Sequence, residues 1–127
     1  MAGNQKSVDG SQKSGATAVY ISTEMGYDNE IIRDENENIV RILVSGTGGR
    51  AINLQTKKYE KSFNQPLSLN LAMMTSAEKE LPIRVILKTG DKWIYLGLWE
   101  IKECLYTKLE GDEVKVWIFA LEKAVPK

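Results

Sequence analysis

The chain has no histidine, and that absence excludes more chemistry than most of its motifs support. Without histidine there is no Ser-His-Asp or Cys-His nucleophilic device, no imidazole general base, no HNH-type nuclease centre and no His-ligated metal. Cysteine is nearly absent too. Cys104 alone can form no internal disulfide and no multi-cysteine zinc site. Its neighbours Ile101 and Leu105 make a buried structural thiol the expectation. Neither sign of charge dominates: 17 Lys and Arg stand against 17 Asp and Glu, which speaks against a non-specific binder of polyanions. No apolar run reaches the length of a membrane span. The first residues, through Gly15, are rich in Ser, Gly, Gln and Lys, with neither the apolar core of a secretory signal nor an Arg-rich amphipathic pattern. They read as a flexible segment, 1–15, ahead of one domain, 16–124. The expected setting is cytoplasmic, and nucleoid-associated in a bacterium. No cofactor and no metal are called for.

What is present is unevenly placed. Asp28, Glu30, Asp34, Glu35 and Glu37 crowd one loop with Arg33 as the only cation, while Arg50, Lys57, Lys58 and Lys61 share a later one with Glu60. Between them runs an apolar stretch, Ile39-Val40-Arg41-Ile42-Leu43-Val44, then Ser45-Gly46-Thr47-Gly48-Gly49-Arg50. Glycine carries no Cβ, so such a backbone approaches a ligand or another segment closely. The hydroxyls of Ser45 and Thr47 and the forked Arg50 suit a phosphate or a base edge. A balanced total charge thus leaves room for a local polyanion site.

The patterning predicts strands at Thr17–Ser22, Asn38–Val44 (covered on both faces), Leu81–Leu87, Trp93–Glu103 and Val114–Leu121. Tyr27–Glu37 reads as a polar loop, and Ala51–Asn64 as a basic loop with a short strand around Ile52 or Tyr59. Pro66 opens one helix, about 66–80, with Leu67, Leu71 and Met74 at i, i+4 and i+7. Several strands and one helix give an α+β domain with a strongly bent sheet or small β-barrel.

Seven segments, in order, resemble the SRA (SET- and RING-associated, YDG) family, whose fold is PUA-like. They are Val8-Asp9-Gly10 with Gly15-Ala16; Met25-Gly26-Tyr27-Asp28; Ser45-Gly46-Thr47-Gly48-Gly49-Arg50; Asn64-Gln65-Pro66-Leu67-Ser68 with Asn70-Leu71-Ala72; Leu81-Pro82-Ile83-Arg84-Val85-Ile86; Tyr95-Leu96-Gly97-Leu98-Trp99; and Val116-Trp117-Ile118-Phe119-Ala120-Leu121. The glycine segment, similar to the family's Thr-Gly-x-Gly-Gly-Arg, is the most specific of them. The resemblance implies a module that binds double-stranded DNA and reads a modified cytosine, 5-methyl- or 5-hydroxymethylcytosine, by rotating it out of the helix. The unstacking cost, about a few kcal/mol, is offset by contacts in a pocket.

By the same resemblance the base pocket comprises Tyr27, Asp28, Glu30, Val44, Ser45, Gly46 and Thr47. Tyr27 would stack on the base. Asp28 or Glu30 is the nearest match for the carboxylate that accepts from the cytosine amino group, with Asp34 and Glu35 also in range. Gly48, Gly49, Arg50, Lys57 and Lys58 would meet the DNA backbone. The departures are specific. Val44 stands where the family has a second stacking tyrosine, Leu96 replaces the aspartate of Tyr-Asp-Gly, and Asn64 replaces another. Val44 suggests a roomier pocket that admits a substituent larger than methyl. In bacteria the resemblance implies modification-dependent restriction, with cutting by a separate nuclease domain or partner.

Plainer readings stand beside these. Taken alone, the glycine segment is a structural turn, Tyr27 a half-buried loop aromatic, and Lys57-Lys58 a surface pair. Trp93, Trp99 and Trp117 read as core or packing residues, and Asn70 as a hydrogen-bonding residue at the helix start. A PUA-like module for RNA or protein, without base flipping, is the second function class. Asp91 with Glu100-Ile101-Lys102 spells a short metal-dependent nuclease pattern, but Glu113-Val114-Lys115 repeats it, which points to alternating charge on a solvent face.

Overall fold

The computed structural model describes residues 8–23, 29–48, 50–57, 59–61 and 63–124, with the side chains of residues 50–52, 59 and 69 outside the description. Seven strands form one sheet in the order β1 (Val8–Ser11), β2 (Gly15–Ser22), β7 (Ile83–Thr89), β8 (Lys92–Lys108), β9 (Lys115–Lys123), β4 (Ile39–Ser45) and β3 (Glu30–Arg33). β5 (Arg50–Ile52) and β6 (Tyr59–Lys61) pair separately as a hairpin. β2 and β7 run parallel, and the other ladders are antiparallel. The sheet is strongly curved and stays open, with β1 and β3 at its two edges. Two bulges in the 17-residue β8, one against β7 and one against β9, supply part of the bend, because an extra residue on one strand locally increases twist.

The inner face holds the core. Val19, Ile21, Ile42, Val44, Ile83, Val85, Trp99, Ile101, Phe119 and Leu121 are buried there, together with Met73 of α1 (Leu71–Glu78). Period-two alternation explains the set: Ile42 and Val44 of β4 face inward, and Leu43 and Ser45 face out. β4 is therefore not covered on both faces, and Val40 near its start is exposed.

Several expectations need revision. Residues 8–15, read as part of a flexible segment, form β1 and the turn into β2. That turn is fastened to the helix: Thr75 Oγ1 donates to the Gln12 carbonyl at 2.6 Å and Gln12 Nε2 to the Ser68 carbonyl at 2.9 Å. The polar loop 27–37 contains β3, which gains its stability from pairing with β4 rather than from its own pattern. The helix is shorter than 66–80, with a 3₁₀ turn at Ser68–Asn70 before α1. Its buried residues are Met73 and Ser76, while Leu67 is 49 % exposed. The basic loop holds both candidate strands, paired with each other.

Among the tryptophans only Trp99 is fully buried; Trp117 is half-buried, and Trp93 is exposed with Lys88 over its ring. Cys104 is exposed, not the buried structural thiol expected, and lies in a run of β8, residues 102–106, that is exposed throughout. Partial desolvation of the sulfur, and then Glu78, raise its thiol pKa. Glu100 and Lys102 neutralise each other at 3.1 Å, and the hydrogen bond to Glu100 holds the Lys102 ammonium pKa up. Among the described residues no three Cys, Asp or Glu converge as a metal site would require.

Candidate nucleic-acid interface

The glycine segment leaves β4 and is held by groups distant in sequence. The Ser45 N–H donates to Asn29 Oδ1 at 2.7 Å, and Asn29 Nδ2 donates to the Ser22 carbonyl at 2.7 Å. The Gly46 N–H donates to the Trp117 carbonyl at 2.7 Å. Gln65 Nε2 donates to the carbonyls of Gly46 at 2.8 Å and Gly48 at 3.1 Å, while its Oε1 accepts from the Trp117 N–H at 2.8 Å. Asn70 Oδ1 accepts from the Thr47 N–H at 2.8 Å, and its Nδ2 donates to the carbonyls of Thr47 at 3.2 Å and Pro66 at 2.8 Å. Gln65 and Asn70 are each only 1 % exposed, and buried amides of this kind require such partners.

The two carboxamides meet over Gly46. A Cβ there would lie 2.6 Å from Asn70 Oδ1, 2.6 Å from Gln65 Oε1 and 2.8 Å from the Trp117 Cβ, so only glycine fits. Gly48 then turns the chain with φ of 88°, a left-handed value that side chains disfavour.

Beside this segment, on the outer face, lies an open cavity of about 380 Å³ lined by Asn29, Glu30, Leu43, Leu109 and Ile118. The ladders assemble it: Glu30 pairs with Leu43, and Ser45 pairs with Ile118. Among the described residues, a mainly apolar lining with one acidic residue and one carboxamide suits a flat heterocycle that presents a donor at its edge. Ser45 lies two residues along β4 from Leu43, on the same face.

Of the residues expected in a base pocket, the structure therefore brings Glu30 and Ser45 onto one face and seats Gly46 and Thr47 in the loop beside them. Val44 goes elsewhere. The pleat turns it to the inner face, 3 % exposed among the core residues, so the described cavity lining does not include it and the expected extra room at Val44 is not seen there. Tyr27, Asp28, Gly49 and Lys58 lie outside the described residues, as does the side chain of Arg50. Asp34 works locally, its Oδ1 accepting from the N–H groups of Asn36 and Asn38 at 2.8 and 3.0 Å. Lys57 is exposed at the β5–β6 turn.

Sequence reasoning missed Asn29, Leu43, Leu109 and Ile118 at the cavity, and Gln65 as a loop anchor. Period two on β4 was the one available signal, since it places Leu43 with Ser45. Nothing local links Leu109 or Gln65 to residues so far back in the chain.

A family model described as the SAD/SRA domain matches residues 2–125. Among solved structures, the chain superposes on a modification-dependent restriction endonuclease, TagI, with a TM-score of 0.73 and 25 % identity over 96 % of this chain. It spans only 43 % of that protein. The SRA domain of SUVH5 bound to fully hydroxymethylated CG DNA gives a TM-score of 0.73 at 23 % identity, over 97 % of this chain and 77 % of that one. The same domain in complex with methylated CHH DNA gives 0.70 at 23 % identity, over 97 % and 76 %. No curated protein matches the chain.

Proposed function

The chain belongs to the SAD/SRA domain family, and from that premise we propose that it binds double-stranded DNA and reads a modified cytosine flipped into the outer-face cavity. The observation that carries this reading is that Glu30 lines an open cavity with Leu43, Leu109 and Ile118, beside a Ser-Gly-Thr-Gly loop held by Gln65 and Asn70. A carboxylate there accepts from the cytosine 4-amino group, while Leu43, Leu109 and Ile118 cover the ring. Ser45 and Thr47 face the base edge and its 5-substituent. By the family resemblance, Tyr27 stacks on the base and Asp28 is the alternative carboxylate at its edge. Gly48, Gly49, Arg50, Lys57 and Lys58 follow the phosphate backbone.

The chain then serves as the recognition part of a modification-dependent restriction system, with strand cutting in a separate domain or partner. The likeness to TagI, of which it spans less than half, supports that division of labour. Its place is the cytoplasm, at the nucleoid; among the described residues no helix is long and apolar enough to cross a membrane.

Competition binding with matched duplexes carrying cytosine, 5-methylcytosine or 5-hydroxymethylcytosine tests the proposal. A preference for one modified duplex, with 2-aminopurine fluorescence reporting an unstacked site, is the expected result. Equal affinity for all three with a steep salt dependence identifies a backbone binder instead. Because Val44 is absent from the described cavity lining, the comparison of methyl with hydroxymethyl also tests the expectation of a roomier pocket.

A further inference from the structure

We infer that Asn29, Gln65 and Asn70 are positioning residues for DNA reading, acting through the dual donor-and-acceptor character of their carboxamides. This rests on the base-reading function proposed above. The backbone groups of Ser45–Gly48 point in mixed senses: N–H groups of Ser45 and Thr47 outward to acceptors, carbonyls of Gly46, Thr47 and Gly48 outward to donors. A single side chain that serves both senses must carry a donor and an acceptor on one rigid plane. Asn and Gln do this without charge and without rotating about a C–O bond, and neutral histidine, the other side chain that could, is absent from this chain.

Each of the three also ties the loop to a different part of the body. Asn29 joins Ser45 to the end of β2 through the Ser22 carbonyl. Gln65 joins Gly46 and Gly48 to β9 through Trp117, and its own N–H donates to the Lys115 carbonyl at 3.0 Å. Asn70 joins Thr47 to the start of the helix through Pro66. The loop therefore meets DNA with its hydroxyls already aimed, and binding loses little freedom in ordering it. Asn29 has a second consequence, since the residue that anchors Ser45 also lines the cavity beside Glu30.

Isosteric carboxylates isolate this role from packing. Gln65→Glu and Asn70→Asp keep shape and acceptors but turn the donors into negative oxygens facing carbonyls. Ser76→Ala is the control: Ser76 is equally buried and donates to the Ala16 carbonyl at 2.9 Å, on the far side of the helix contact. The full chain and its variants are titrated with modified and unmodified duplexes, alongside amide exchange at Gly46 and Thr47. Gln65→Glu and Asn70→Asp should weaken modified-duplex binding at least tenfold, change unmodified-duplex binding less than twofold and speed exchange at the loop amides. Ser76→Ala should leave the ratio of the two affinities within twofold of the parent.

Unchanged modified-duplex affinity in both carboxylate variants overturns the inference, and so does an equal loss of that ratio in Ser76→Ala. If the buried variants fail to fold, Asn29→Asp carries the test from its half-buried position. A several-fold loss of preference then supports the role, and no loss overturns it. A parent chain without any preference refutes base reading rather than the clamp. In that case loop-amide exchange decides alone: acceleration in the carboxylate variants supports positioning, and parent-like protection overturns it.

Discussion

The Ser45–Gly48 loop and the β5–β6 hairpin that follows it are near neighbours in sequence and opposites in construction. The loop is held by side chains 16 to 23 residues away for Asn29, Gln65 and Asn70, and by the still more distant Trp117. The hairpin turn is organised from within. Asn53 Oδ1 accepts from the N–H groups of Gln55 at 2.9 Å and Thr56 at 3.1 Å, its Nδ2 donates to Glu60 Oε1 at 2.8 Å, and its carbonyl accepts from the Lys57 N–H at 2.8 Å. Among the described residues, an ion pair from Lys61 to Asp112 at 3.0 Å ties the hairpin to the turn before β9. A loop fixed by the whole fold is suited to reading one base. A hairpin that fixes itself and stands apart from the main sheet is suited to tracking a backbone that carries no sequence information.

That contrast can be broken deliberately, and the largest effect should come from Gly46→Ala. The added methyl meets two amide oxygens and the Trp117 Cβ at 2.6–2.8 Å, so the clamp must open. A loss of about 1–3 kcal/mol in stability is expected from the overpacking. Preference for the modified duplex should fall with it. Chemical denaturation and duplex titration on the same sample check both, and parent-like values would show that the loop has slack.

Glu30→Gln comes next. It keeps the shape of the cavity wall but replaces an ionised acceptor with an amide, and about tenfold or more of modified-duplex affinity should go. Melting temperature should hardly move, because Glu30 is exposed. An unchanged affinity would shift the base contact to Asp28.

Lys57→Ala acts on the other side of the comparison. Ala and Lys bear the left-handed φ of 62° equally badly, so the change removes charge alone. Modified and unmodified duplexes should weaken in parallel, and the slope of log affinity against log salt should drop by about one. A selective loss for the modified duplex would instead make the hairpin part of the reader.

Asp112→Asn acts on stability rather than on reading: it removes one ion pair whose side chains are only 16 % and 23 % exposed, and a loss of about 1–3 kcal/mol is expected. Thermal melts at low and high salt resolve it. A larger change would mean that the hairpin depends on the main sheet more than its separate pairing suggests.

How much of this was legible beforehand follows the same division. The strands that bury residues at period two, the turn chemistry of Asn and Asp, and the Gly-rich segment were readable because their causes lie within a few residues. β1 and β3 were not, since their patterns are weak and their partners supply the stability. The helix was placed by Pro66, but its buried face was misjudged. The helix buries Met73 and Ser76, while Leu67, Leu71 and Met74 are half-buried or exposed.

By itself the sequence determined that this chain supplies no histidine chemistry, no internal disulfide and no multi-cysteine metal site, that the domain is α+β, and that one glycine segment carries its most specific resemblance. Those are statements about which groups exist and what their near neighbours are. Only the tertiary structure decided that Val44 faces the core while Ser45 shares the outer face on which Glu30 lines the cavity, and that Gln65 and Asn70 close on Gly46. Alternation along a strand fixes which residues share a face, but burial by distant strands chooses which face is inside. Hydrogen bonds across tens of residues leave no local pattern to read.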